Sequence, residues 1–228
     1  MTSPLDNPIW HSLQSHHAAL GRAAGAAAGY APEIAPFVGV GSADAAAGVQ
    51  LAGLLGDHEP YYLVGLVPPA VPGWRLDDHG VIEQMVCARP PAVPDGADVC
   101  ELGEAHIEDM LELTGLVFPG YFRHDTLRMG RYLGIYSDGR LAAMAGERMH
   151  LPGWREISAV CTHPDHAGRG HAQRLVALVT CGVFERGEQP FLHVSPGNDR
   201  AKKVYLRLGY ADRCTVALYS LHREGAAV

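Results

Sequence analysis

The chain has 228 residues, 25 of them acidic against 18 basic, for a formal net charge of −7 and 47% hydrophobic residues. That apolar fraction builds one large or two small domains, while a pI near 6.0 and the lack of a Lys/Arg-rich stripe exclude non-specific nucleic-acid binding, because nothing replaces counterions along phosphates. Cys87, Cys100, Cys161, Cys181 and Cys214 are scattered with no C-x-x-C pair, which predicts neither a zinc site nor a disulfide framework and fits a reducing cytoplasm.

The first thirty residues carry His16, His17 and Arg22 and lack the apolar core of a signal peptide; no run of about eighteen apolar residues follows, so no membrane insertion is expected. Pro8, Ile9, Trp10, Leu13 and Leu20 predict a helix, and Ala23 to Gly29 reads as its end or as a loop. A strand at Phe37 to Val40, a helix over Ala43 to Leu55 with Ser42 as N-cap, and strands at Tyr61 to Val67 and Val81 to Cys87 follow. Pro90, Pro91, Pro94 and Gly96 then interrupt all periodicity, which predicts a linker over 90–98 between an N-terminal α/β domain, 1–89, and a second domain, 99–228.

The second domain opens with a strand at Val99 to Leu102 and a helix over Glu104 to Thr114 with Ile107, Met110 and Leu111 as its apolar stripe. Phe118 to Phe122 is an aromatic loop. Arg131 to Tyr136 and Arg140 to Arg148 form a hairpin on Asp138-Gly139, the strongest short-range turn signal in the chain. Pro152-Gly153 turns the chain into a strand from Glu156 to Thr162, followed by a loop with Gly168 and Gly170. Leu175, Leu178, Val179 and Val183 then share one face of a helix opening near Gly170. A helix N-terminus has unpaired N–H groups and partial positive charge, so glycines that admit a ligand to the main chain make it a site for pyrophosphate. A second apolar strand, Phe191 to Val194, leads to Asn198, an N-cap for a helix with Ala201, Val204, Tyr205 and Leu208 on one face and Gly209 beyond its end. A terminal strand covers about Arg213 to His222.

From Cys100 to Leu221 these residues resemble the GNAT superfamily of acyl-CoA-dependent N-acyltransferases, in particular its glycine N-acyltransferase-like branch. The family's acyl-CoA loop (Arg or Gln, any, any, Gly, any, Gly or Ala) falls on Ala167, Gly168, Arg169, Gly170, His171 and Ala172. Ala167 departs from it, and the nearby Arg169 offers the missing charge. The later motif falls on Asn198, Ala201, Tyr205, Gly209 and Tyr210. The resemblance implies a mixed α/β fold of the α+β type, with a central, mostly antiparallel sheet flanked by helices. The N-terminal part is either a degenerate copy of the same fold or an unrelated α/β cap; lengths and alternation favour the first, although no repeat aligns.

The implied reaction transfers an acetyl or other acyl group from acetyl-CoA to the primary amine of a small molecule or peptide, by direct attack in a ternary complex. By resemblance, Val160, Cys161 and Thr162 offer main-chain groups to pantetheine, Asn198 orients that arm, and Tyr205 protonates the departing thiolate; the alternative for Tyr205 is a core tyrosine. A protonated amine needs a base, and Glu156, at the start of the strand leading to the loop, is the candidate. A symmetric turn would set Glu147 opposite it, and like charges that close would raise one pKa. Direct transfer is simpler than an acyl-enzyme on Cys161, and His163, His166 and His171 lack the carboxylate or thiolate partners of a metal set. The competing reading is an inactive acyl-CoA-binding sensor or scaffold. Oligomeric state is left open, with a homodimer among the options.

Overall fold

The computed structural model describes residues 3–57 and 60–225. Its strands are β1 (Gly21–Ala24), β2 (Ala27–Tyr30), β3 (Val38–Val40), β4 (Tyr61–Val64), β5 (Trp74–Cys87), β6 (Cys100–Leu102), β7 (Tyr132–Ser137), β8 (Arg140–Leu151), β9 (Trp154–Thr162), β10 (Gln189–Val194) and β11 (Tyr210–Arg223). The α-helices are α1 (Pro8–Leu13), α2 (Ala45–Ala52), α3 (Ile107–Val117), α4 (His171–Glu185) and α5 (Asp199–Arg207). The chain divides into two compact units, neither contiguous: residues 1–82, 149–152 and 215–228, and residues 83–148 and 153–214.

In the first unit, β1, β2 and β3 form an antiparallel sheet, and β4 pairs antiparallel with the end of β11, Leu218 opposite Val64. Its core gathers Val38, Val40, Leu51, Tyr61, Leu63, Trp74 and Leu221. The stretch expected to be helix end or loop is instead the β1–β2 hairpin. Its alanines and glycines permit close approach: a Cβ at Gly21 would meet the Gly29 carbonyl oxygen at 2.2 Å, and Ala27 and Ala28 are fully buried. Asp44, not Ser42, caps α2, its carboxylate accepting from the Ala47 N–H at 2.8 Å. No described helix is long and apolar enough to cross a membrane.

In the second unit the strand order is β5-β10-β9-β8-β7-β6. The β7–β8 hairpin turns on Asp138 (φ 53°) and Gly139 (φ 77°), the two left-handed residues that an Asp-Gly turn supplies. Alternate side chains enter opposite layers. Leu133, Ile135, Ala143, Ala145, Ile157, Leu192 and Val194 pack with Leu175, Val179 and Val183 of α4 and with Tyr205 and Leu208. Tyr132, Met144 and Cys161 pack with Met110 and Leu113 of α3, joined by Phe118 and Phe122 of the aromatic loop. Residues 88–99 have no regular structure. They lie along α4, where the Arg174 guanidinium donates to the Ala97 carbonyl at 3.0 Å and to that of Pro94, and the Cys181 thiol donates to the Pro91 carbonyl at 3.4 Å.

Candidate active site

β9 and β10 run parallel, and their pairing covers Gln189↔Trp154, Pro190↔Arg155 and Phe191↔Glu156. β9 continues to Thr162 and β10 to Val194 without further register between them, so main-chain groups of β9 beyond Glu156 are not committed to β10. Ala159 is left-handed at φ 51°, unusual for a non-glycine inside a strand and typical of a bulge. The side chains record it: Ile157 and Val160 pack toward α4, whereas Ala159 and Cys161 pack toward α3. Regular alternation would have put 157, 159 and 161 on one face.

After β9, a single 3-10 turn (Pro164–His166) leads to Gly168 at φ 82° and Gly170 at φ 80°, the latter serving as N-cap of α4. A Cβ at either glycine would meet nothing within 4 Å, so the left-handed backbone, not lack of space, requires glycine here. The first intrahelical bond of α4 runs from Arg174 N–H to Gly170 C=O, which turns the N–H groups of 171–173 toward the loop. Ala167 and Arg169 are exposed, and Arg169 donates to the Asp165 carbonyl at 3.3 Å. His171 is held below the ordinary histidine value by burial and by His166 and Arg169. His166 is buried, and among the described residues its Nδ1 has no hydrogen-bond partner. Among the described residues no group of three or more His, Cys, Asp or Glu could hold a metal ion.

Asn198 caps α5, its side-chain oxygen accepting from the Ala201 N–H at 3.1 Å. One helical face then directs Tyr205 into the layer beneath α4, where it is 7% exposed. Burial pushes its phenol up to about 12. Tyr210 next to it shares a 2.7 Å hydrogen bond with Thr180, but among the described residues the Tyr205 hydroxyl has no hydrogen-bond partner. The Cys161 thiol is likewise raised by burial, to about 12.

The two glutamates are not brought together. Glu147 points under α4, accepting from Arg186 just past the end of that helix, from Arg155 at 3.2 Å and from the Arg131 N–H at 3.4 Å. Glu156, next to Ile157 on its strand, points to the other face. It is fully buried and accepts from Arg148 Nε at 2.7 Å and Nη2 at 2.6 Å, and from His193 Nδ1 at 2.7 Å. The expected facing carboxylate pair is therefore replaced by two separately neutralised carboxylates, because alternation along each strand sends them to opposite layers. Burial alone would raise the Glu156 carboxyl; Arg148 and then His193 outweigh it and hold it well below the usual carboxylate range. Sequence reasoning missed the bulge at Ala159 and the role of His193, and raised His166 only to set a metal site aside. Neither Ala159 nor His193 belongs to a short motif, and the one available hint was His193 inside an otherwise apolar strand.

A strand that parts from its parallel neighbour and runs into a glycine loop at a helix N-terminus is the arrangement of the acetyltransferase fold, and comparison with known proteins agrees. The FR47-like protein family matches residues 132–219. A crystal structure of a protein from Novosphingobium aromaticivorans, assigned to the GNAT family, is 37% identical over 98% of this chain and 100% of its own, with a TM-score of 0.86. A GCN5-related N-acetyltransferase from Kribbella flavida (18% identity, 95% and 92% coverage, TM-score 0.60) and a GNAT-family acetyltransferase from Colwellia psychrerythraea (11%, 77% and 71%, 0.54) share the fold. No curated protein matches the chain. Fold and relatives together define an acetyltransferase-type transferase. The chain belongs to the GNAT superfamily.

Proposed function

We propose that the protein is an N-acyltransferase that moves an acetyl group from acetyl-CoA to the primary amine of a small molecule or peptide, of the glycine N-acyltransferase-like kind. The observation that carries this reading is the end of β9–β10 pairing at Phe191↔Glu156, one bulge and one turn ahead of the loop with left-handed Gly168 and Gly170. Main-chain groups of Val160, Cys161 and Thr162 are then available to pantetheine, and those of 167–172 to pyrophosphate. Arg169 lies beside the loop as its cation.

The amine nitrogen attacks the thioester carbonyl carbon, the C–S bond breaks and the thiolate leaves. An N–H in the opened part of β9 polarises the carbonyl, and the Tyr205 hydroxyl, which has no hydrogen-bond partner among the described residues, donates to the departing sulfur. Cys161, a neutral thiol packed toward α3, takes no part. Glu147, bound by two arginines under α4, stays outside the chemistry. The acceptor's ammonium proton has two exits, Glu156 or water.

The test measures free thiol released from acetyl-CoA against a panel of amines, alongside acetyl-CoA binding to the free protein. Amine-dependent release is expected. Binding without release for any amine would favour the sensor or scaffold reading, and absence of binding would end both.

A further inference from the structure

Across the face of the second unit turned away from α4 and α5 runs a row of five polar side chains, one from each of the adjacent strands β8, β9, β10, β5 and β11. Arg148 donates to both carboxylate oxygens of Glu156. Glu156 meets His193 Nδ1 at 2.7 Å, His193 Nε2 meets the Gln84 amide nitrogen at 3.0 Å, and the Gln84 oxygen accepts from Arg213 at 2.8 Å. Their chain neighbours Ile157, Leu192, Val194 and Met85 pack in the layer under α4, which places the row opposite. Gln84 is fully buried and the His193 side chain is 4% exposed.

The two guanidiniums at its ends determine every proton in the row. Arginine only donates, so the Gln84 oxygen must face Arg213 and its NH₂ must face His193. His193 Nε2 therefore accepts, which leaves the ring proton on Nδ1, donated to Glu156. An imidazolium would set an N–H against the Gln84 NH₂. All donors along the row point toward Glu156, and a carboxylate that receives charge-assisted donors from both sides is a poor proton acceptor. Two titratable side chains of β7 lie on the same face: Tyr132 is buried and donates to the Thr126 carbonyl at 3.3 Å, and Tyr136 donates to the Asp109 carboxylate at 2.5 Å.

The row also sits where main-chain pairing stops. Glu156 is the last β9 residue in register with β10, and His193 lies two residues past its partner Phe191. The His193–Glu156 bond thus bridges the two strands at the mouth of their opening.

We propose that Glu156 is a fixed anion and His193 a positioning residue, their hydrogen bond setting the gap between β9 and β10 that receives pantetheine, and that the acceptor's proton leaves to water. The inference rests on the acyltransferase reading for what enters the gap, but not for the proton arrangement itself.

Two measurements on the full chain test it. Nitrogen-15 NMR of labelled histidine, followed across about pH 5 to 8, is expected to show the neutral His193 ring carrying its proton on Nδ1, as its hydrogen-bond partners on either side require. The Glu156 carboxyl carbon, assigned by its loss in Glu156→Gln, should not titrate there, whereas a base poised near neutrality would. Acetyl-CoA titration of His193→Asn, whose amide nitrogen stands in for Nδ1–H, should give an affinity within about threefold of the parent. His193→Leu, with similar volume and no donor, should bind about tenfold more weakly, the scale of one hydrogen bond to a charged group. A titrating Glu156 or an Nε2–H tautomer would overturn the fixed-anion assignment. Parental affinity in His193→Leu would overturn the positioning role. A parent protein that does not bind acetyl-CoA would sink the acyltransferase reading and the positioning role with it, while the NMR result still decides the state of the row.

Discussion

Replacing Tyr205 with Phe separates catalysis from packing at a buried side chain proposed to touch the reacting atoms. The ring and its apolar contacts are kept, and the lost hydroxyl has no hydrogen-bond partner among the described residues. The stability cost should therefore fall below the roughly 0.5–1.5 kcal/mol of an ordinary buried hydrogen bond. For a chain of this size that leaves the melting temperature within about 2 °C of the parent. The rate effect is bounded by the phenol's acidity. With Tyr205 near 12 and a thiol near the ordinary value of about 8.5, complete proton transfer to the thiolate is uphill by about 5 kcal/mol. Tyr205 then acts by donating a hydrogen bond to charge developing on sulfur, and the loss should lie at or below the low end of general-acid effects, about 10- to 100-fold in kcat. Steady-state thiol release with acetyl-CoA and a thioester of a more acidic thiol provides the assay, and the loss should shrink with the better leaving group. A Phe variant that turns over both donors at the parental rate would refute the reasoning and return Tyr205 to the core.

Gly170→Val is expected to weaken acetyl-CoA binding by about 5- to 150-fold in calorimetric titration, since a β-branched residue at φ 80° costs about 1–3 kcal/mol of strain, whereas Ala167→Arg at the exposed loop position should change affinity by no more than about threefold. Ala159→Gly should be neutral or stabilising and Ala159→Val destabilising by about 1–3 kcal/mol in urea unfolding, because φ 51° is strained for any side chain and worst for a branched one. Glu156 has a folded-state pKa below its unfolded value, so its stabilisation is present above about pH 4.3 and is lost as pH falls through the folded value. Glu156→Gln should accordingly lose about 3–5 kcal/mol at pH 7, and the gap between variant and parent in urea midpoint should narrow at pH 3; a gap independent of pH would mean the carboxylate is not held as a charged partner of Arg148.

Short-range chemistry was sufficient for the parts of the protein that sequence determined by itself. Gly168 and Gly170 needed only their left-handed turns, Asn198 only the N–H of Ala201, and Asp138-Gly139 only the twist of the strands it joins. The apolar spacing of Leu175, Val179 and Val183 made α4 readable because it recurs within one helix. The Ala/Gly-rich β1–β2 hairpin was illegible, since small residues carry little periodic signal and their role is to let backbones approach. The site was only partly readable, for the same reason. Whether Glu147 and Glu156 face each other depends on register and on which layer each strand turns a residue toward, and Ala159 shows that one bulge resets that parity within a strand. The row from Arg148 to Arg213 joins residues from five strands whose spatial order, β8-β9-β10-β5-β11, differs from their order in the chain. A strand presents its side chains on two faces, but which neighbour lies beside it is decided by packing of the whole sheet. The partners that hold Glu156 ionised, and with them its chemical role, therefore exist only in the tertiary structure.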